Sequence, residues 1–181
     1  KRDGVRYTAL VPNLAGLDRA MAAGAKEIAV FAASSETFSR KNINQSIDQS
    51  LAGYAEVCSR ALANGLRVRG YLSTAFGCPY EGHVPPQRVA ELAERLVQMG
   101  VFEVAVSDTI GVAHPAQVAQ VLESVLSRLP IERIALHFHD TRGTALANVL
   151  EALSIGVTTF DASAGGLGGC PYAPGASGNL A

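Results

Sequence analysis

The chain has 181 residues, 48% of them hydrophobic and 17% charged, with 18 Gly, 8 Pro, 3 Cys and no Trp. That excludes a disordered tail, a disulfide scaffold and a membrane protein, since no apolar run reaches roughly 18 residues. Fifteen Lys and Arg against sixteen Asp and Glu leave a net charge of −1, which gives no broad positive field for a nucleic-acid backbone but leaves small acidic ligands open through local donors.

In chain order, short β-branched or apolar runs alternate with amphipathic stretches, the pattern of a parallel sheet with crossover helices. Residues 6–11 read as the first strand and 14–23 as its helix. The second strand, 27–31, leads through Lys41-Asn42-Ile43-Asn44 beside Arg40, a small basic loop suited to meeting phosphates or else an ordinary helix N-terminus, into a helix over 44–64. Strand 67–73 precedes helix 86–99, strand 101–107 precedes helix 115–129, and strand 133–139 precedes helix 144–155; a sixth strand covers 158–164. Pro86 and Pro115 suit first helical turns, while Gly24, Gly65, Gly100 and Gly156 stand where a left-handed C-terminal cap is wanted.

Six units in 181 residues are about 30 residues each, the size of one unit of a (β/α)8 barrel, whose complete form runs to roughly 250 residues. The rival is a doubly wound sheet, which usually carries a phosphate loop after its first strand; here that turn is VPNLAG, and a GxGxxG alignment starting at Gly166 meets Pro171. The expectation is therefore a single α/β domain over 1–181, a TIM barrel truncated to six parallel strands with five intervening helices.

In a barrel the chemistry sits at the C-terminal strand ends, and here those ends are polar. His137 and His139 flank Phe138 and share one face of a strand, about 6.6 Å apart along it, so they converge on one side. With oxygen partners they suit a divalent cation such as Mg2+ or Mn2+; the alternative is one packed and one hydrogen-bonded histidine. Four glycines, Gly165, Gly166, Gly168 and Gly169, precede Cys170, as expected of a loop closing over a ligand with a usable thiol; the alternative is a plain connector. Cys78 reads as a loop-packing residue and Cys58 as a small core or surface residue, and with no CxxC pair all three thiols read as reduced in an intracellular chain. Asp108 with Thr109 orients a ligand, relays a proton or caps the next turn. Asn179 reaches a metal only if its loop folds back, and otherwise is a turn residue. Arg69 and Tyr71 share a strand face, so an inward Arg69 needs an acidic partner. His83 and His114 read as solvated.

The stretches SAGGLGGCPYAPGASGNLA, HFHDTRGTALAN, SDTIG, RGYLSTAFGCPYEG and SETFSRKNIN closely resemble the 3-hydroxy-3-methylglutaryl-CoA lyases, essentially end to end. The resemblance implies a TIM barrel and retro-aldol (Claisen-type) cleavage of hydroxymethylglutaryl-CoA to acetyl-CoA and acetoacetate, a step of leucine degradation and ketone-body formation. It implies metal ligands at His137, His139 and Asn179, a loop thiol at Cys170, and hydroxyl-proton handling by Asp108 or His137. Tyr71, Arg69, Thr109, Asn42 and Lys41 would border the acyl group or CoA. No nucleotide cofactor, nucleic acid or membrane is implied; the partner is an acyl-CoA, the complete protein a homodimer, and the location cytoplasmic. The family opens with an Arg-Asp strand supplying a further metal ligand. Arg2-Asp3-Gly4 looks like it but precedes RYTALVPN, which aligns with the third strand, so the chain reads as strands three to eight without the first two or the C-terminus. The rival readings are a condensing synthase of the same superfamily, against which the cysteine loop speaks, and a non-catalytic acyl-CoA or metal-binding module.

Overall fold

Polar caps open the helices where apolar periodicity begins. In a computed structural model, which describes residues 2–170 and 178–181, Asn13 Oδ1 accepts the Gly16 N–H at 2.9 Å and starts α1 (Leu14–Ala22). Ser35 caps α2 (Glu36–Ile43), and Ser46 with Gln49 forms a reciprocal capping box on α3 (Ile47–Ala63). Pro86 and Pro115 stand in the first turns of α4 (Pro86–Gln98) and α5 (Pro115–Leu126), and α6 spans Ala145–Ile155. Gly24, Gly65, Gly100 and Gly156 all adopt positive φ just past their helices, as the left-handed cap requires.

The strands are β1 (Thr8–Leu10), β2 (Glu27–Ala33), β3 (Arg67–Ser73), β4 (Val104–Asp108), β5 (Ile134–Phe138) and β6 (Phe160–Asp161). They form one parallel sheet in chain order, β1 through β6, as expected of a barrel truncated to six strands. One face of each of β2 to β5 lies under the helices: Ile28, Val30, Val68, Leu72, Val104, Val106, Ile134 and Leu136 are buried, each stabilising the fold by roughly 1.5–3 kcal/mol. Gly70 also faces the helices, because a Cβ there would stand 3.1 Å from Val101 Cγ1. The alternate residues, Tyr71, Ser73, Ser107 and His137, line the concave side.

Four expectations need correction. There are six α-helices among the described residues, not five: α2 was missed, and the Lys41-Asn42-Ile43 stretch is its last turn, closed by Asn44 at φ 55°. The third helix starts at Ile47, not 44. The sixth strand holds only Phe160–Asp161, and Ala164–Gly166 is a 3-10 turn. The fifth ends at Phe138, with His139 in an isolated bridge to Asn179. α2 opens on the Ser35 cap and closes at left-handed Asn44, and the third helix starts only where Ser46 caps it, so side-chain bonds to the backbone and not apolar content set these ends.

Candidate active site

Side-chain alternation along parallel strands builds a cavity of about 810 Å3 at the concave side, reaching the strand ends. Its wall takes Phe31 from β2, Tyr71 and Ser73 from β3, Ser107 and Thr109 from β4 and the residue after it, His137 and His139 from β5 and its end, and Asp161 from β6. Asn42 from α2 and Gly169 with Cys170 from the glycine segment complete it. Cys170 is partly buried against the core.

The two histidine rings lie 5.3 Å apart, centroid to centroid, and Phe138 between them turns to the helices, where its ring packs 5.8 Å from Phe76. Residues 178–180 run antiparallel against 138–140: Asp140 N–H donates to Gly178 O at 3.2 Å, and Leu180 N–H to Phe138 O at 3.1 Å. This folds Asn179 back beside His139. Asn179 Nδ2 donates to Leu167 O at 3.0 Å, a bond made by the amide nitrogen and not by its oxygen. Gly166 and Gly168 make this possible: both have positive φ, and a Cβ on Gly168 would meet Asn179 Nδ2 at 2.9 Å.

A divalent cation fits this donor set. His139 Nδ1 is buried without a hydrogen-bond partner, and burial, aided by the neighbouring His137, lowers the imidazole to about 4, so a neutral ring with a lone pair is the stable form at neutral pH. Among the described residues no three His, Cys, Asp or Glu side chains converge as a metal cluster; the two histidines therefore need an amide oxygen such as that of Asn179, or further oxygen donors.

Beneath the histidines lies a charged network. Arg69 Nε donates to Glu103 Oε1 at 2.7 Å, and Nη1 donates to Asp161 Oδ1 at 2.8 Å and to Tyr71 Oη at 2.7 Å. The inward arginine thus finds the acidic partners its position demanded. Burial raises the Asp161 carboxyl, but His137 and Arg69 overcome it and hold the group below the ordinary carboxylate range. Burial, and then Asp161, push the Tyr71 phenol up.

The other predicted residues are placed as follows. Asp108 is fully buried; its Oδ1 accepts the Val112 N–H and its Oδ2 the Ala113 N–H, each at 3.0 Å, so it caps the turn and does not line the cavity. Burial nevertheless raises its carboxyl above the usual range. Thr109 Oγ1 accepts the Thr74 N–H at 2.7 Å and steadies Thr74 at φ 58°, a costly conformation for a β-branched residue. Lys41 lies outside the cavity wall, its Nζ 5.0 Å above the Tyr80 ring. Gly165, Gly166 and Gly168 shape the segment behind Cys170, and only Gly169 of the four lines the cavity. Cys58 and Cys78 are buried in the core, as read. His83 and His114 are exposed, and His114 also caps α5 through Nδ1. Pro171 to Ser177 of the glycine-rich stretch lies outside the described residues.

Sequence reasoning passed over Asp161 and Glu103. The available signal was a carboxylate inside each of two strand regions, at the parity that faces the concave side.

A half-barrel whose polar strand ends, paired histidines and glycine-segment thiol meet in one cavity has the layout of a (β/α)8-barrel enzyme site. The chain belongs to the HMGL-like family, whose profile matches residues 5–181. It is 56% identical to the hydroxymethylglutaryl-CoA lyase of Bacillus subtilis over its whole length, covering 60% of that protein. It is 54% identical to the cytoplasmic 3-hydroxy-3-methylglutaryl-CoA lyase of Rattus norvegicus, covering 98% of the chain and 52% of the relative. The crystal structure of hydroxymethylglutaryl-CoA lyase from Pseudomonas aeruginosa superposes with a TM-score of 0.96 at 52% identity, over 100% of this chain and 60% of that one. An HMG-CoA lyase from Acinetobacter baumannii in complex with coenzyme A and 3-methylmalate gives 0.94 at 40%, over 99% and 59%. The chain thus spans about 60% of the length of the Bacillus relative.

Proposed function

We propose that this chain carries the reaction centre of a divalent-metal-dependent hydroxymethylglutaryl-CoA lyase, cleaving the acyl-CoA to acetyl-CoA and acetoacetate. The observation that carries the reading is the meeting of His137, His139 and Cys170 on one cavity in a chain 56% identical to the Bacillus subtilis lyase. The acyl-CoA assignment is supported by the coenzyme A complex of the Acinetobacter relative.

His137, His139 and Asn179 would hold Mg2+ or Mn2+, which when bound supplies Lewis-acid polarisation of the substrate's C3 hydroxyl and carboxylate. The protein's own tasks are proton handling and orientation. The hydroxyl proton leaves as the C2–C3 bond breaks; with the Nε2 lone pair of His137 given to the cation, Asp108 is the remaining candidate to take it, although both its oxygens also hold backbone N–H groups. The electron pair of the broken bond becomes the acetyl-CoA enolate, and the Cys170 thiol donates the proton that turns it into acetyl-CoA. Tyr71 and Thr109 border the acyl group, and Asn42 at the rim meets the CoA arm.

The test is a chimaera in which this chain replaces the matched region of the Bacillus lyase, assayed for acetoacetate release with Mg2+ or Mn2+. Cleavage is expected, and Cys170→Ala should lower turnover by about 10²–10⁴-fold with cation affinity retained. A folded chimaera that releases no acetoacetate sinks the proposal, and condensation of acetyl-CoA with a 2-oxo acid instead would favour a synthase. The chain alone, with its sheet open between β1 and β6, is expected to turn over weakly or not at all.

A further inference from the structure

The buried network below the histidines carries more charge than its own balance needs. Arg69 is one positive group, and Glu103 at 2.7 Å already neutralises it; Asp161 at 2.8 Å is a second carboxylate on the same guanidinium. The surplus negative charge lies beside His137, whose Nδ1 stands 3.4 Å from Asp161 Oδ2. Both atoms are buried, and neither has a hydrogen-bond partner elsewhere among the described residues. Two orphaned buried polar atoms would each cost about 1–3 kcal/mol, so each is the other's natural complement.

The fold sets the meeting. His137 and Asp161 are direct partners in the β5–β6 register, so their side chains emerge on the same face. Arg69 holds Asp161 from below, while the Tyr71 ring stands edge-on to His137 with centroids 6.5 Å apart, restricting its rotation.

We propose that Asp161 is the positioning residue of His137, its carboxylate facing Nδ1 so that the ring carries its proton there and leaves the Nε2 lone pair for the cavity. Arg69 aims Asp161. A neutral imidazole has two tautomers, and the group facing one nitrogen selects between them. The Asp161 carboxylate facing Nδ1 also strengthens the ring as a donor to a cation. The purpose assigned to this arrangement rests on reading His137 as a cation ligand; the arrangement itself does not.

The experiment therefore separates the two. Long-range 1H–15N spectra of the neutral histidine rings in the metal-free chain report the tautomer directly. The expected result is an Nδ1–H tautomer for His137, moved toward Nε2–H in Asp161→Asn and unchanged in Glu103→Gln, which disturbs Arg69 without touching the histidine. Mn2+ titration should show a loss of about 10–100-fold in affinity for Asp161→Asn and less than about twofold for Glu103→Gln. An Nε2–H tautomer in the parent chain, or equal effects of the two variants on the tautomer, overturns the proposal. Should Asp161→Asn fail to fold, the parent and Glu103→Gln spectra decide. If the tautomer is as expected but Mn2+ does not bind, the positioning role stands and the cation reading falls.

Discussion

Asp108 shows how a strand-end carboxylate can serve the backbone. It is fully buried and accepts the Val112 and Ala113 N–H groups, so Asp108→Ala strands two donors in a dry turn. The expected loss is about 1–3 kcal/mol for such groups, measured by urea unfolding. A loss below a few tenths would mean that water replaces the carboxylate. The thiols differ in the same local way. Cys58 is buried, and burial pushes its thiol up to about 11; Cys78 Sγ donates to Ser35 Oγ at 2.9 Å in a closed loop. Cys170 lines the cavity. At neutral pH a small alkylating reagent should label Cys170 alone in the folded chain, and all three after denaturation, as read by peptide mass spectrometry. Fast native labelling of Cys58 would contradict the buried α3 face.

Elements joined to the site by their turns are less tolerant than elements joined elsewhere. Gly111 follows β4 at φ 64°, and a Cβ there would fall 2.5 Å from Thr141 Oγ1 and 2.9 Å from Thr141 N. Gly24, after α1, has φ 72° but nothing within 4 Å. Gly24→Ala should therefore cost about 1–2 kcal/mol from its left-handed backbone alone, and Gly111→Ala about 1–3 kcal/mol more from overpacking. Thermal melts of the pair check the difference; equal melting points would show that the 109–114 turn can move away from residues 140–144. The same contrast explains what was legible in the sequence. Strands such as β3 and helices such as α4 declare themselves because their apolar periodicity answers to one buried face. α2 did not: in ETFSRKNI only Phe38 and Ser39 are buried, and its helicity comes from Ser35 at one end and left-handed Asn44 at the other. His137, His139 and Cys170 were legible as unusual chemistry at strand ends and in a glycine run. Asp161 was not, because its role depends on a cross-strand partner 24 residues away, fixed only by register.

At the scale of the whole molecule, among the described residues β1 and β6 each pair on one side only, and unpaired edges are templates for association. The helix beside the open edge adds to this. α6 turns small or polar residues, Ala145, Asn148 and Ala152, inward, and leaves Leu146 and Leu150 72% and 70% exposed, with Leu153 on the same side at 48%. Spacings of four and seven put these leucines in one stripe, and covering one fully is worth roughly 1.5–3 kcal/mol. Leu10 and Tyr7, at the β1 edge, are exposed as well. Two uncovered apolar surfaces and two free edges outweigh the repulsion from a net charge of −1, so the chain should self-associate as concentration rises. Leu146→Lys with Leu150→Lys changes only solvent-facing side chains and should leave the fold and melting cooperativity intact while lowering the association. Sedimentation velocity across a concentration series distinguishes the outcomes. A smaller, slower-growing oligomer fraction in the double variant identifies the α6 stripe as the driver, and an unchanged fraction assigns association to the strand edges. A parent chain that stays monomeric throughout would mean that neither surface is sticky enough to overcome the entropy of association.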